Sequence, residues 1–172
     1  MDIDGRGSKE LFDEVVNGGA CTLCGACAGS CPYLLMHKGK PFKVDHCSRE
    51  AGQCYLYCPR TPTDMDRLYR CRFGIPYSEE HMGIGLVRDV FLARSRDEGI
   101  LAKAQDGGVT TTLLSVALGD SMVQGVLETG LSGTESPRGF IAHTRDELLS
   151  GAGTSYEMAP VLETLNRLSV RS

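Results

Sequence analysis

All eight cysteines of this 172-residue chain fall between residues 21 and 71. Four of them are spaced Cys21-Thr-Leu-Cys24-Gly-Ala-Cys27-Ala-Gly-Ser-Cys31-Pro32. Two residues between thiols let a tight loop aim successive sulfurs at different corners of one inorganic group. The proline after the fourth thiol keeps the chain from folding back, because its ring fixes φ and removes a donor. The first third of the fold is therefore expected to take its shape from what the sulfurs hold.

The run C-x₂-C-x₂-C-x₃-C-P is the signature of bacterial ferredoxins for a [4Fe–4S] cluster, and its fourth cysteine typically serves the neighbouring cluster. An altered second copy follows: Cys47-Ser-Arg-Glu-Ala-Gly-Gln-Cys54-Tyr-Leu-Tyr-Cys58-Pro59. Its C-x₃-C-P close repeats the first motif, while one early cysteine is missing. Pseudo-twofold logic assigns Cys21, Cys24, Cys27 and Cys58 to one cluster and Cys31, Cys47 and Cys54 to the other. Cys71 is then either the missing ligand or a buried thiol. Two four-cysteine sites would use all eight cysteines, which favours two [4Fe–4S] clusters.

Other uses of cysteine fit less well. Disulfides need an oxidising compartment, and Met1-Asp2-Ile3-Asp4-Gly5-Arg6 has neither the basic start nor the apolar core of a signal peptide. Structural zinc prefers two separated C-x₂-C pairs. The formal net charge of −4 argues against a nucleic-acid partner, which would want a basic face. No apolar run approaches the roughly 20 residues of a membrane span. A cytoplasmic, reducing setting in an anaerobe is expected.

The cysteines stop at residue 71 and an aliphatic stretch follows, so two modules are expected: residues 1–73, a linker over 74–85, and residues 86–172. Residues 8–16 predict a short amphipathic helix with Ser8 as N-cap, and residues 32–46 a hairpin around Lys38-Gly39-Lys40-Pro41. Residues 59–85, rich in Pro and Gly, read as a surface linker. Strands are expected at 86–93, 123–128 and 140–143, with helices over 99–105, from the glycine turn to about residue 118, and over 159–168. The alternation implies α/β architecture with a partly parallel sheet. The whole reads as an α+β ferredoxin-like module followed by a partial α/β domain.

The turn Asp106-Gly107-Gly108-Val109-Thr110-Thr111-Thr112 opens a helix. Glycines permit close approach of a ligand, and a helix N-terminus offers N–H groups and a positive dipole end, which suits a flavin or nucleotide phosphate. Thr110 or Thr111 as a simple helix cap explains the same residues. His37, His46, His81 and His143 lack metal-ligand spacing and read as surface or packing residues, His46 beside Cys47 being placed to tune a cluster.

Several segments in succession resemble the coenzyme F420 hydrogenase/dehydrogenase beta-subunit family. They are Ala104-Gln105-Asp106-Gly107-Gly108-Val109-Thr110-Thr111-Thr112-Leu113-Leu114, then Gln124-Gly125-Val126 and Ala142-His143-Thr144-Arg145-Asp146-Glu147-Leu148-Leu149. Ala152-Gly153-Thr154-Ser155-Tyr156 and Pro160-Val161-Leu162-Glu163-Thr164-Leu165 follow. The resemblance implies an iron–sulfur flavoprotein subunit that passes electrons between reduced F420, or NAD(P)H, and a partner redox protein through FAD. It implies hetero-oligomeric assembly with hydrogenase, formate dehydrogenase or similar subunits, and activity only within that complex. It also implies that Gly107, Gly108, Thr110 and Thr111 lie in the flavin region. Members of that family are longer, so the chain resembles a truncated form. The rival expectation is a flavin-free relay and docking subunit.

Overall fold

Leu11 and Val15, four residues apart, are 1% and 3% exposed and anchor the first core. The computed structural model describes residues 5–81, 83–130 and 137–169. Helix α1 (Ser8–Glu10) runs directly into a π-helical stretch, Leu11–Val16, in which Asn17 N–H donates to Phe12 O at 2.8 Å. Gly7, not Ser8, is the N-cap. Its N–H donates to Glu10 Oε2 at 2.8 Å, and Ser8 is buried. A Cβ at position 7 would meet Arg49 O at 2.9 Å, so the chain's close approach there requires glycine.

The expected hairpin is present as β1 (Leu34–His37) antiparallel to β2 (Lys40–Lys43), with Leu34 opposite Lys43. A short α2 (Gln53–Leu56) carries Cys54 and the buried Tyr55. Leu11, Val15, Cys27, Leu34 and Tyr55 share one core, with Cys21, Cys31, Cys54 and Cys58 packed against it. Tyr55 Oη donates to Glu14 Oε2 at 2.6 Å and accepts from Arg6 Nη1 at 2.8 Å. The hydrogen bond to Glu14 raises the phenol pKa.

Among the described residues two compact units emerge: Met1–Thr61 with Arg94–Ser172, and Pro62–Ala93. These follow different lines from the expected 1–73, 74–85 and 86–172, because contacts from the later segment reach back to the cysteine loops. The second unit is not a bare linker. It holds α3 (Met65–Phe73), capped by Asp64, which accepts from Arg67 N–H at 2.9 Å, and closed by left-handed Gly74. Tyr69 contacts Phe73 and Tyr77, with ring centroids 5.2 and 4.9 Å apart. The strand expected at 86–93 does not form. Val90 and Phe91 are each 80% exposed and no ladder partner is described for them, which a lone strand cannot tolerate.

In the first unit, α4 (Glu98–Leu101) is capped by Asp97, and α5 (Val109–Gly119) follows the glycine turn. β3 (Val126–Gly130) pairs antiparallel with β4 (Arg138–Ala142), Glu128 opposite Phe140. The expected parallel pairing is therefore absent among the described residues. Residues 131–137 are too few for the dozen or so that a parallel crossover needs. Helix α6 (Arg145–Ser150), which the sequence reading missed, begins with a capping box of Thr144 and Glu147. Val126, Ala142 and Leu148 make a second core with Leu114, Leu118, Val123 and Phe140. Helix α7 (Val161–Ser169) closes the described fold.

A candidate iron–sulfur centre

The loop from Cys21 to Cys31 turns by visiting left-handed backbone at Leu23 (φ 57°), Gly25 (80°) and Gly29 (89°). Leu23 N–H points at Cys21 Sγ at 3.4 Å. Cys27 is buried, while Cys21, Cys24 and Cys58 are half-buried. Burial pushes the Cys27 thiol up to about 12, and the neighbouring Cys21, Cys58 and Cys24 add to the rise. Cys58, delivered by the turn after α2, is raised by burial and by Cys24 and Cys21. These four sulfurs therefore share one neighbourhood, and as thiolates they need compensating positive charge at their centre.

A second group forms beside it. Burial raises the Cys54 pKa, with Cys31 and Cys47 adding to the shift. All three thiols line a cavity of about 340 Å³, which Ser8, Arg49 and Gln53 also border. A Cβ at Gly52 would stand 3.0 Å from Cys54 Sγ, so the glycine keeps the approach to that sulfur open. Cys31 of the first motif thus sits with the second set, and Cys58 of the second motif sits with the first. Cys71 belongs to the other compact unit and is exposed on α3.

The donor set suits clusters better than single ions. Soft thiolates in fours are the ligands of Fe–S cubanes and of zinc alike. Among the described residues, however, no three Cys, His, Asp or Glu side chains converge tightly enough for one ion. A cubane holds its thiolates at separate corners, farther apart than a single ion does. The residues present fit iron–sulfur clusters.

The cysteine loop is also held from a distance. Leu162 N–H donates to Cys24 O at 2.9 Å. Asn166 Nδ2 donates to Ala26 O at 2.9 Å and Ala28 O at 2.7 Å. A Cβ on Gly25 would meet Glu163 N at 2.9 Å, and one on Gly29 would meet Glu163 O at 2.7 Å. α7 therefore lies directly on the loop that carries Cys21, Cys24, Cys27 and Cys31. Sequence reading found neither Asn166 nor Glu163, since nothing local distinguishes a polar residue on an amphipathic helix as a long-range clamp.

The glycine turn has a structural explanation of its own. Gly108 is the N-cap of α5 at φ 66°, and a Cβ there would stand 2.8 Å from buried Ile100 Cγ2. Gly107 O accepts from Ser95 N–H at 2.7 Å. Thr112 Oγ1 donates to Ser95 Oγ at 2.8 Å and lies 2.9 Å from Gly108 O. Thr110 is exposed and Thr111 half-buried. The histidines stay apart: His37 contacts the Phe42 ring, His46 is exposed, and His143 Nδ1 lies 2.8 Å from Gln124 O. The His81 side chain lies outside the described residues.

Residues 90–166 match the sequence profile of the coenzyme F420 hydrogenase/dehydrogenase beta subunit, N-terminal region. That segment of the chain is similar to this family. A coenzyme F420-dependent sulfite reductase from Methanocaldococcus jannaschii is 27% identical over 150 residues, covering 86% of this chain and 21% of its own length. The coenzyme F420 hydrogenase beta subunit of Methanothermobacter thermautotrophicus is 40% identical over 81 residues, covering 46% of this chain and 28% of the relative. A chain of the F420-reducing [NiFe] hydrogenase complex from Methanosarcina barkeri matches at TM-score 0.41 and 32% identity, covering 46% of this chain and 31% of that one. The chain thus spans less than a third of each of these family relatives. No helix among its described residues is long and apolar enough to cross a membrane.

Proposed function

We propose that this chain is an iron–sulfur electron-transfer subunit of an F420-linked oxidoreductase, working in a hetero-oligomer with a partner redox protein. The observation that carries the reading is the sorting of seven cysteines into two neighbouring groups, Cys21, Cys24, Cys27 and Cys58 beside Cys31, Cys47 and Cys54. The family similarity of residues 90–166 supports the F420 link. A bound flavin would accept a hydride as an electron pair and release the electrons singly, the step that joins a hydride carrier to one-electron clusters. Gly107, Gly108, Thr110 and Thr111 are proposed to meet that flavin's phosphate, as the family resemblance implies. The chain's own work is then to hold thiolates in two adjacent sets, to bury Cys27 away from water, and to keep the first loop rigid through Leu162 and Asn166.

A flavin-free relay is the second reading. It is favoured by Gly108, whose left-handed φ and contact with Ile100 account for the glycine without any ligand.

Anaerobically prepared protein is expected to carry about eight iron and about eight sulfide per chain, as two four-iron clusters require. Cys21→Ser should remove about half of that iron. Tightly bound zinc without sulfide would overturn the cluster reading. With FAD and native partners supplied, reduced F420 should bleach the cluster absorbance, and NADH should do so more slowly or not at all. If the assembled chain never retains FAD, the relay reading stands.

A further inference from the structure

The second thiol group is one sulfur short within its own unit. Cys31, Cys47 and Cys54 border one cavity, and among the described residues no fourth thiol, histidine or carboxylate lines it. The other four cysteines of the unit are already gathered around Cys27. Cys71 is an exposed thiol on a helix with no buried residue. The cavity, at about 340 Å³, falls in the size range of small-molecule sites, and among the described residues Arg49 is the one charged side chain on its wall. A guanidinium cannot lose its charge and cannot ligate iron, but it favours an anion beside it.

From this arrangement we propose that the second cluster is bound by three protein thiolates only, leaving one iron open to a small anionic ligand from solution, such as a thiolate or hydroxide. The inference rests on the two-cluster reading above. Cys71 is not a ligand, and neither is Ser8 at the cavity wall. The chemistry that follows is that of an iron without a protein anchor. A one-electron oxidant of the ferricyanide type takes one electron from the [4Fe–4S]²⁺ state. Ferrous iron leaves as Fe²⁺ and [3Fe–4S]⁺ remains on Cys31, Cys47 and Cys54, so charge and iron balance. Adding ferrous iron and one electron reverses the step.

The experiment uses the intact, cluster-loaded chain. Mild anaerobic ferricyanide treatment should lower iron from about eight to about seven per chain and produce the near-isotropic electron paramagnetic resonance signal of a three-iron cluster. Refilling with Mössbauer-active ferrous iron should label a single site, and mercaptoethanol should shift the spectrum of that site alone. Cys71→Ser and Ser8→Ala should leave these spectra unchanged, and Cys71 should be the one thiol alkylated in the loaded protein. Protection of Cys71, loss of the second cluster in Cys71→Ser, an altered labelled site in Ser8→Ala, or an unresponsive labelled iron would each overturn the proposal while leaving two clusters standing. Wild-type protein with only about four iron would instead overturn the two-cluster reading beneath it.

Discussion

Asn166 shows how one side chain ties a helix to the first cysteine loop. Its amide donates to two successive turns of backbone, Ala26 O and Ala28 O, on either side of buried Cys27. Asn166→Leu keeps the volume and removes both bonds, leaving two carbonyls without that donor. The expected cost is about 1–3 kcal/mol, read as faster loss of roughly half the iron to a chelator, with the second cluster unaffected. Unchanged release kinetics would mean that the thiolates alone hold the loop. Gly108 makes the opposite point, because a residue chosen as a ligand contact also has a steric role. Gly108→Ala places a Cβ 2.8 Å from Ile100 Cγ2 in left-handed backbone, and a lower denaturation midpoint is expected, by about 1–2 kcal/mol for the backbone alone. Flavin loss in that variant would therefore be ambiguous. Thr110→Ala, at an exposed position, separates binding from folding.

Short elements here depend on their ends. Helix α6 has six residues and a full capping box, with Thr144 Oγ1 accepting from Glu147 N–H and Glu147 Oε2 accepting from the N–H groups of His143 and Thr144. Thr144→Ala should destabilise the second core by about 1 kcal/mol, measured by urea unfolding. Those backbone donors hold the Glu147 carboxyl below its ordinary 4.5. Its stabilising contribution is therefore complete above that value and is lost as pH falls through the depressed folded one. Glu128 on β3 behaves the other way. Burial raises its pKa above 4.5, so the fold binds the proton more tightly than the unfolded chain and loses stability as pH rises through that window. Acid titration of unfolding should show a smaller slope near pH 4 in Glu147→Gln, and Glu128→Gln should raise the midpoint at neutral pH.

At the scale of the whole molecule, the cysteine loops and the family segment share one unit across the sequence gap from residue 62 to 93. Loading or stripping the clusters should therefore be felt in α7, more than 130 residues from the loop it holds. Hydrogen exchange is expected to show lost protection at Leu162 when the clusters are removed, because its N–H donates to Cys24 O. The Asp64 cap and Gly74 stop of α3 should keep their protection, since the second unit contributes no thiol to either group under the proposal above. Loss of protection in α3 would bring Cys71 back as a ligand.

Local spacing was legible in the sequence because the covalent chain itself sets it. The interval of cysteines suggests grouping Cys58 with the first three and Cys31 with Cys47 and Cys54, and the cluster proposal adopts that grouping. The Lys38-Gly39 hairpin and the helix after Gly108 followed from turn chemistry of the same short range. What lies between residues far apart was not legible. The apolar run at 86–93 has strand composition, but a strand exists only with a ladder partner, and composition does not say whether one arrives. Proline and glycine around α3 hid a helix whose cap and stop are one residue each. The docking of α7 on the first cysteine loop was decided by Asn166, Leu162 and two glycines that meet only in the folded chain. Spacing along the backbone set where the thiols fall, and tertiary packing chose what holds their loop still.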